Sequence, residues 1–581
     1  MLRQSSPLSV QSSGTPASRR GFILYDLVAA GLILAFLLAF ADASRHMAAP
    51  IAAESAPISL APWALPLYAL RSTMRMLAAM AASLVFTFVF ASLAAKSRRA
   101  ETVLVPLLDI LQSVPVLGFI SVTVTGFMAL APGHALGAEL AAIFAIFTSQ
   151  AWNMAFSFYQ SLKTIPDDLK EASRSLRFSA WMRFWRLEVP FAAPALIWNM
   201  MMSMSGGWFF VVACEAINVG STNLLLPGIG SYIAVAVERR DLDAIFWAIA
   251  VMLGVILLYD QLLFRPLVAW SYRFRSGQED ETPRPRPWML TVLQRSRLID
   301  LATRPVLSGF DASLRWTRLP AARQPAVPEP DRPRPLGERI WNAALVAIGL
   351  VGIGVFAVHM HRTFPTREIV EVLLLGLPTL ARVLVLIALA SLIWVPIGVY
   401  IGLRPRLAAA LQPVAQMLAA FPANLLFPLA VSAIVALNLD PDVWLSPLMV
   451  LGTQWYILFN VIAGAAAVPR DLKDASGNLG LKGWLWWRKL ALPAVFPFYL
   501  TGAITASGGC WNAAIVAEWV SWGDKHLAAH GIGATIAEAT GRGDMDRVVL
   551  GIVVMIVYVI AMNRLLWRPL FRLAERKYRM N

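Results

Sequence analysis

Residues 166–177 read PDDLKEASRSLR, and residues 469–480 read PRDLKDASGNLG, the same pattern 303 positions further on. Each is a polar island between long apolar runs, and each runs on to a Leu-x-x-Pro ending, LEVP at 187–190 and LALP at 490–493. Leu169, Ala172, Ser173 and Leu176, like Leu472, Ala475, Ser476 and Leu479, fall at i, i+3, i+4 and i+7. That spacing is one face of a helix about three turns long. Pro166 and Pro469 suit a first helical turn, where the missing N–H costs nothing. Asp167, Asp168 and Asp471 suit the positive end of the helix dipole. Gly480 can take a positive φ and turn the chain after the helix. Arg177 stands in that slot in the first copy, where the left-handed conformation costs about 1–2 kcal/mol. The turn after the first helix is therefore expected to take another shape. The small-residue face would let a partner approach closely, with Glu171 or Asp474 as a charged contact. An amphipathic loop helix without a partner would read the same, but packing alone does not require it twice.

The surrounding composition is that of a membrane protein. The chain of 581 residues is 58% hydrophobic, with a mean hydropathy of +0.62. Apolar runs of about 20 residues recur, the length that crosses the hydrocarbon core. Two cysteines, Cys214 and Cys510, both in apolar runs, exclude a disulfide framework and read as small core residues. The net charge of +15 does not point to nucleic acid, because the arginines cluster in particular loops. Near the start, Arg19-Arg20 before an apolar run resembles a twin-arginine export signal, with Ala41 to Ala43 as a candidate cleavage site. A first membrane helix held by arginines accounts for it better, since the rest of the chain is itself membrane-embedded.

Twelve membrane segments are expected, six per half. They lie near 22–41, 66–95, 104–130, 136–160, 190–217 and 243–264, then near 340–358, 372–403, 408–436, 444–466, 493–519 and 547–566. With the N-terminus inside, the loop at Lys96 to Arg99, both motif helices, the connector and the C-terminal tail all fall inside, as the positive-inside rule requires. The connector, from Arg265 to Arg339, holds 14 arginines. The chain divides into a cytoplasmic tail (1–21), a first repeat (22–267), a Pro/Arg-rich cytoplasmic connector (268–338), a second repeat (339–570) and a cytoplasmic tail (571–581). Within the connector, 288–300 reads either as an amphipathic helix on the inner leaflet or as disorder. The six histidines fall in loops or helix ends assigned outside. His526 and His530 have i, i+4 spacing, but no cysteine or carboxylate cluster accompanies them, so no metal site is expected.

The halves match by counting. At an offset of 303, Trp152 meets Trp455, Trp208 meets Trp511, Glu215 meets Glu518, and Gly228-Ile229-Gly230 meets Gly531-Ile532-Gly533. Upstream the offset is 307, where Arg75 meets Arg382, Pro106 meets Pro413 and Pro115 meets Pro422. Both halves start on the same side with six spans. They are therefore parallel repeats about an axis along the membrane normal, with a path between them.

The motif resembles the coupling-helix signature of binding-protein-dependent ABC importer permeases: Glu-Ala-Ala, three residues, Gly, then a hydrophobic-Pro ending. Here it reads Glu171-Ala172-Ser173 with Arg177 in the glycine slot, and Asp474-Ala475-Ser476 with Gly480. PLLDILQSVP at 106–115, LPAVFP at 492–497 with Thr501-Gly502, and Ala517-Glu518 resemble the nitrate, sulfonate, taurine and bicarbonate branch. The resemblance covers about 70–267 and 377–570, as if two permease units were fused. It implies an all-α polytopic protein of a bacterial inner membrane, and a permease rather than an enzyme. It also implies two copies of a cytoplasmic ABC ATPase on the coupling helices, through Asp168, Glu171, Ala172, Ser173, Arg177, Asp471, Asp474, Ala475, Ser476 and Gly480. A periplasmic or extracellular solute-binding protein would deliver a small solute. No Gly-x-x-x-x-Gly-Lys-Ser/Thr loop occurs in the chain, so ATP and Mg are expected on the partner ATPase and no cofactor here.

For the path itself, Ser205, Trp208, Glu215, Trp511, Asn512 and Glu518 are the candidates. The small residues near 205–207 and 508–510 suit either close helix packing or a pore lining. Intramembrane carboxylates are functional candidates by default. Two acids at a pore mouth would repel an anion, unless they are paired or turned away. An ion- or proton-coupled carrier without an ATPase is the alternative, and it would need ionisable groups at mid-membrane.

Overall fold

The computed structural model describes residues 19–48, 58–113, 120–132, 134–219, 222–274, 287–316 and 336–577. Residues 1–18 and 578–581 of the expected tails, Pro115, the Ser205 side chain and connector residues 275–286 and 317–335 lie outside that set.

The first half opens with α1 (Arg19–Ala48) and α2 (Leu65–Lys96), then α3 (Arg98–Ser113) and α4 (Ile120–Leu130). α5 (Leu136–Lys163) leads into α6 (Asp167–Ser175), the first motif helix. α7 (Ala180–Glu215) ends in a hairpin of β1 (Ala216–Val219) and β2 (Thr222–Leu225), and α8 (Ile229–Glu238) and α9 (Leu242–Ser271) complete the half. The connector contributes α10 (Trp288–Arg295) and α11 (Arg297–Trp316). In the second half come α12 (Leu336–Thr363), α13 (Thr366–Gly402), α14 (Pro405–Ala420) and α15 (Phe427–Ala436). α16 (Pro441–Leu451) and α17 (Gln454–Ala466) precede α18 (Arg470–Asn478), the second motif helix. α19 (Gly483–Ala517), β3 (Trp519–Trp522), β4 (Lys525–Ala528), α20 (Ile532–Arg542) and α21 (Met545–Ala574) repeat the end of the first half.

Among the described residues, nine helices are long and apolar enough to cross a membrane, or ten when α16 and α17, bent by 43° at their break, are counted as one span, against the twelve segments expected. The third segment of the second half, expected as one run over 408–436, is broken into α14 and α15; in the first half, where one run is expected over 104–130, α3 and α4 are described and residues 114–119 between them lie outside the described set. In the second half the cause is visible: Pro422 disfavours helical backbone at the preceding residue, and Phe421 is extended at φ −72°, ψ 128°. The duplication reaches into fine backbone detail. One π-helical turn interrupts α7 at Phe184–Glu188 and α19 at Trp487–Ala491; another interrupts α9 at Asp260–Phe264 and α21 at Asn563–Trp567.

Over 288–300, where one helix is one of the two expectations, the described chain forms two helices, α10 and α11, broken at Ser296. The Asp26 carboxylate of α1 accepts from Ser296 Oγ (2.8 Å) and from the Arg297 and Leu298 backbone N–H groups (2.7 and 3.2 Å), capping α11. Met289 and Val292 bury against Ala29 of α1. At its far end α11 reaches the segment after the first motif helix, where Phe310 packs edge-on to Trp185 at 5.2 Å.

Candidate functional site: motif helices, buried carboxylates and a central cavity

The two motif helices are near copies. Each spans nine residues behind a proline N-cap. Asp168, Glu171, Ala172, Asp471, Asp474 and Ala475 are exposed. So are Leu169, Leu176, Leu472 and Leu479. Ser173 and Ser476 do not share that open face: both are buried, each hydroxyl donating to the carbonyl three residues back at 2.7 Å. The expectation of unlike turns fails. Arg177 sits at φ +51° and Gly480 at φ +63°. In both copies the residue after this position bonds back to the buried serine, Phe178 N to Ser173 O and Leu481 N to Ser476 O at 3.0 Å. These are the same glycine-type helix terminations, the first made by an arginine that bears the left-handed strain.

The two intramembrane glutamates belong to buried ion-pair networks. Glu215 accepts from Ser72 Oγ (2.6 Å), Arg75 Nη1 (2.8 Å) and Gly230 N–H (2.7 Å). Arg75 also pairs with Glu139 and donates to the Pro227 carbonyl at 3.1 Å. In the second half, Glu518 accepts from Thr379 Oγ1 (2.8 Å), Arg382 Nη1 (3.0 Å) and Gly533 N–H (2.8 Å), and Arg382 pairs with Asp442 at 2.9 Å. The Gly-Ile-Gly repeats now have a reason. A Cβ on Gly228 or Gly531 would overlap the glutamate carboxylate, and one on Gly230 or Gly533 would overlap the carbonyl of Val212 or Ala514. Of the two readings open for these acids, pairing is the one realised, and the conflict with an anionic solute disappears.

A central cavity of about 460 Å³ is lined by both halves. Its polar wall includes Thr148, Ser149 and Asn153 of α5, Thr453 and Tyr456 around the start of α17, and Thr505 and Asn512 of α19. Among the described residues its lining carries no carboxylate and one charged side chain, Arg568. Of the six path candidates, Asn512 lines this cavity, whereas Trp208, Glu215, Trp511 and Glu518 are buried in the scaffold and do not. Gly206, Gly508 and Gly509 reach the wall; Gly207 is a packing position, where a Cβ would meet Gln150 Nε2 at 2.7 Å. Asn153 and Tyr456 escaped the sequence reading. Their signal was present, since each directly follows a repeat marker, Trp152 or Trp455, inside an apolar run.

At the end of the bundle away from the motif helices, the halves hold each other. The β3–β4 turn reaches the end of α8, with Gly523 N–H donating to the Val237 carbonyl (3.1 Å) and Arg240 pairing with Asp524 (3.0 Å). Arg240 is left-handed at φ +57°, where its second-half equivalent, Gly543, has φ +73°. The histidines with i, i+4 spacing part company here. His526 stacks on Trp519 at 6.0 Å, and His530 pairs with Asp442 at 2.8 Å.

Comparison with known proteins agrees with this duplicated geometry. The family model described as the binding-protein-dependent transport system inner membrane component matches twice, at residues 87–265 and 394–568, together more than half the chain. The nitrate import permease protein NrtB of Leptolyngbya laminosa is 27% identical over 187 residues, 32% of this chain and 63% of that protein. The bicarbonate transport system permease protein CmpB of Synechococcus elongatus is 29% identical over 192 residues, 33% and 64% of the respective lengths. A putative ABC transporter permease of Methanocaldococcus jannaschii, MJ0413, is 26% identical over 186 residues, 32% and 66%. The chain thus spans somewhat under two thirds of the length of these relatives. With one family match on each half of a polytopic helical fold, this chain belongs to the inner membrane components of binding-protein-dependent transport systems, and it carries that unit twice.

Proposed function

We propose that one chain forms both sides of the translocation path of an ATP-driven importer for a small anion. The observation that carries this reading is the central cavity: both halves line it, its wall is rich in neutral hydrogen-bonding groups, and its charge comes from Arg568 alone among the described residues. Such a wall binds an anion through hydroxyl and amide donors without a repelling carboxylate. The relatives named for nitrate and bicarbonate fit that class. An ion- or proton-coupled carrier is less well supported, because it needs a titrating or cation-binding carboxylate on the path.

Energy comes from a separate polypeptide. Two copies of an ABC ATPase, holding ATP and Mg, dock on α6 and α18, whose exposed leucines and carboxylates form the contact. The motif helices, the connector and both termini face the cytoplasm, where the arginine-rich loops are retained. A solute-binding protein delivers the anion at the opposite end. The chain purified alone is expected to hydrolyse no ATP, and to support solute-stimulated hydrolysis once the ATPase and binding protein are added. The ratio of chain to ATPase in the assembled complex is expected to be one to two, read from its native mass. Cysteines placed at Ser276 and Ser308 should resist an impermeant thiol reagent in intact spheroplasts. Glu171→Ala and Asp474→Ala are expected to lower coupled ATPase activity by different factors, because the aspartate is one methylene shorter. ATP turnover by the isolated chain, two chains per ATPase pair, or rapid labelling from outside would each overturn part of this reading.

A further inference from the structure

A second, smaller cavity lies between the halves, and its chemistry differs from that of the first. It measures about 240 Å³ and is lined by Met202, Met204 and Trp208 of α7, Tyr259 and Arg265 of α9, and Met417 of α14. At an offset of 303, Met202, Met204 and Tyr259 correspond to Thr505, Ser507 and Met562, which line the central cavity. The pseudo-twofold therefore relates this apolar cavity to a polar lobe of the path, with Met202 and Met204 where the second half has Thr505 and Ser507. Unbranched and polarizable, methionine adapts to a flexible apolar guest.

Tyr259 is only 9% exposed, and its hydroxyl has no hydrogen-bond partner among the described residues. Its ring is held between Trp208 and Phe264, with centroids 6.3 and 5.3 Å away. A buried hydroxyl without a partner is unfavourable and calls for an acceptor. Six residues along α9, Arg265 also lines the cavity. It pairs at 2.7 Å with Asp260, itself on the lining, and remains about half exposed, so a guanidinium face beyond that pair can reach a second anion. Leu257 and Val414, also on the lining, are exposed on helices of the membrane region, a rim through which a bilayer component can enter.

We propose that this cavity binds an acyl chain of an anionic phospholipid. The methionines enclose the hydrocarbon, Tyr259 donates to an ester carbonyl, and Arg265 pairs with the phosphate. The site needs only the membrane setting of the fold and does not depend on the solute carried. A full-length preparation reconstituted in nanodiscs of mixed phosphatidylcholine and phosphatidylglycerol, then returned to detergent, tests it by native mass spectrometry. One phosphatidylglycerol per chain is expected to survive. Tyr259→Phe, nearly isosteric, should lower retention about fivefold, the value of one neutral hydrogen bond. Arg265→Gln should lower it about tenfold and remove the preference over phosphatidylcholine. Ala420→Phe, on the cavity wall, should abolish retention. Palmitate offered in place of phosphatidylglycerol should not be kept. No retained lipid in the wild type, equal retention in Tyr259→Phe and Arg265→Gln, or retention of palmitate to the same extent would each overturn the proposal.

Discussion

Arg75 and Arg382 occupy matching places in the two halves, yet their surroundings differ. Arg75 is 4% exposed, and its partners Glu139 and Glu215 are 4% and 0% exposed. Arg382 is 12% exposed, and while Glu518 is sealed at 2%, Asp442 is 38% exposed. Two substitutions accompany the change. Asp442 is one methylene shorter than Glu139, and His530, at the place of Pro227, gives Asp442 a backbone N–H (2.6 Å) and a ring nitrogen (2.8 Å). Duplication has kept the pattern of charge, but burial sets its weight. A charge stranded in a dry interior is costly, whereas one that reaches water is screened.

The comparison is broken most directly by removing each arginine. Arg75→Met strands two buried carboxylates and is expected to cost about 3–5 kcal/mol, read from thermal unfolding of the purified chain in detergent. Arg382→Met should cost clearly less, because Asp442 can turn to solvent and to His530. Equal losses would show that exposure does not govern these networks. Next in size are Gly228→Ala and Gly531→Ala. Both force a methyl into a glutamate carboxylate, so each should lose about 1–3 kcal/mol by overpacking. Gly508→Ala has open space around its Cβ inside a helix and should leave stability unchanged or raise it by up to about 1 kcal/mol.

Smaller effects separate the two left-handed arginines. A double-mutant cycle on Arg240 and Asp524 should give a coupling of no more than about 1 kcal/mol, as for other exposed pairs. Arg240→Gly should be near neutral, since relief of strain offsets the lost pair. At the motif helices the signs should be opposite. Arg177→Gly relieves a left-handed residue and Gly480→Arg creates one, each shifting stability by about 1 kcal/mol at most, because glycine also loosens the unfolded chain. If Arg177→Gly destabilises, the arginine makes a contact that outweighs its strain.

Much of this molecule was legible without coordinates. Ten of the twelve expected spans, the offsets of 303 and 307, the polar motif helices and the family-like signatures are local or periodic; the third span of each half does not appear as one long apolar helix among the described residues. The family match follows the same offsets, from 87 to 394 and from 265 to 568. What could not be read was how matched residues meet. Arg75 and Glu215 each appeared as a repeat marker, yet they are 140 positions apart and no spacing rule joins them. Asn153 and Tyr456 looked like stray polar residues in apolar runs until both proved to line one cavity. Arg177 looked unfit for a glycine's place, because propensity ranks one residue while the whole helix end and its flanking packing choose the turn.

The sequence by itself determined that the chain is a duplicated, membrane-embedded helical protein with two equivalent polar helices. Run length, periodicity and repetition are properties of neighbours along the chain, and hydrophobic burial acts on them residue by residue. Tertiary structure alone decided that the intramembrane acids are scaffold, that the cavity wall is free of carboxylates among the described residues, and that the two halves bury equivalent charges unequally. Those outcomes depend on which groups from distant segments share one desolvated volume, and the energy of a polar group in such a volume is set by its partners.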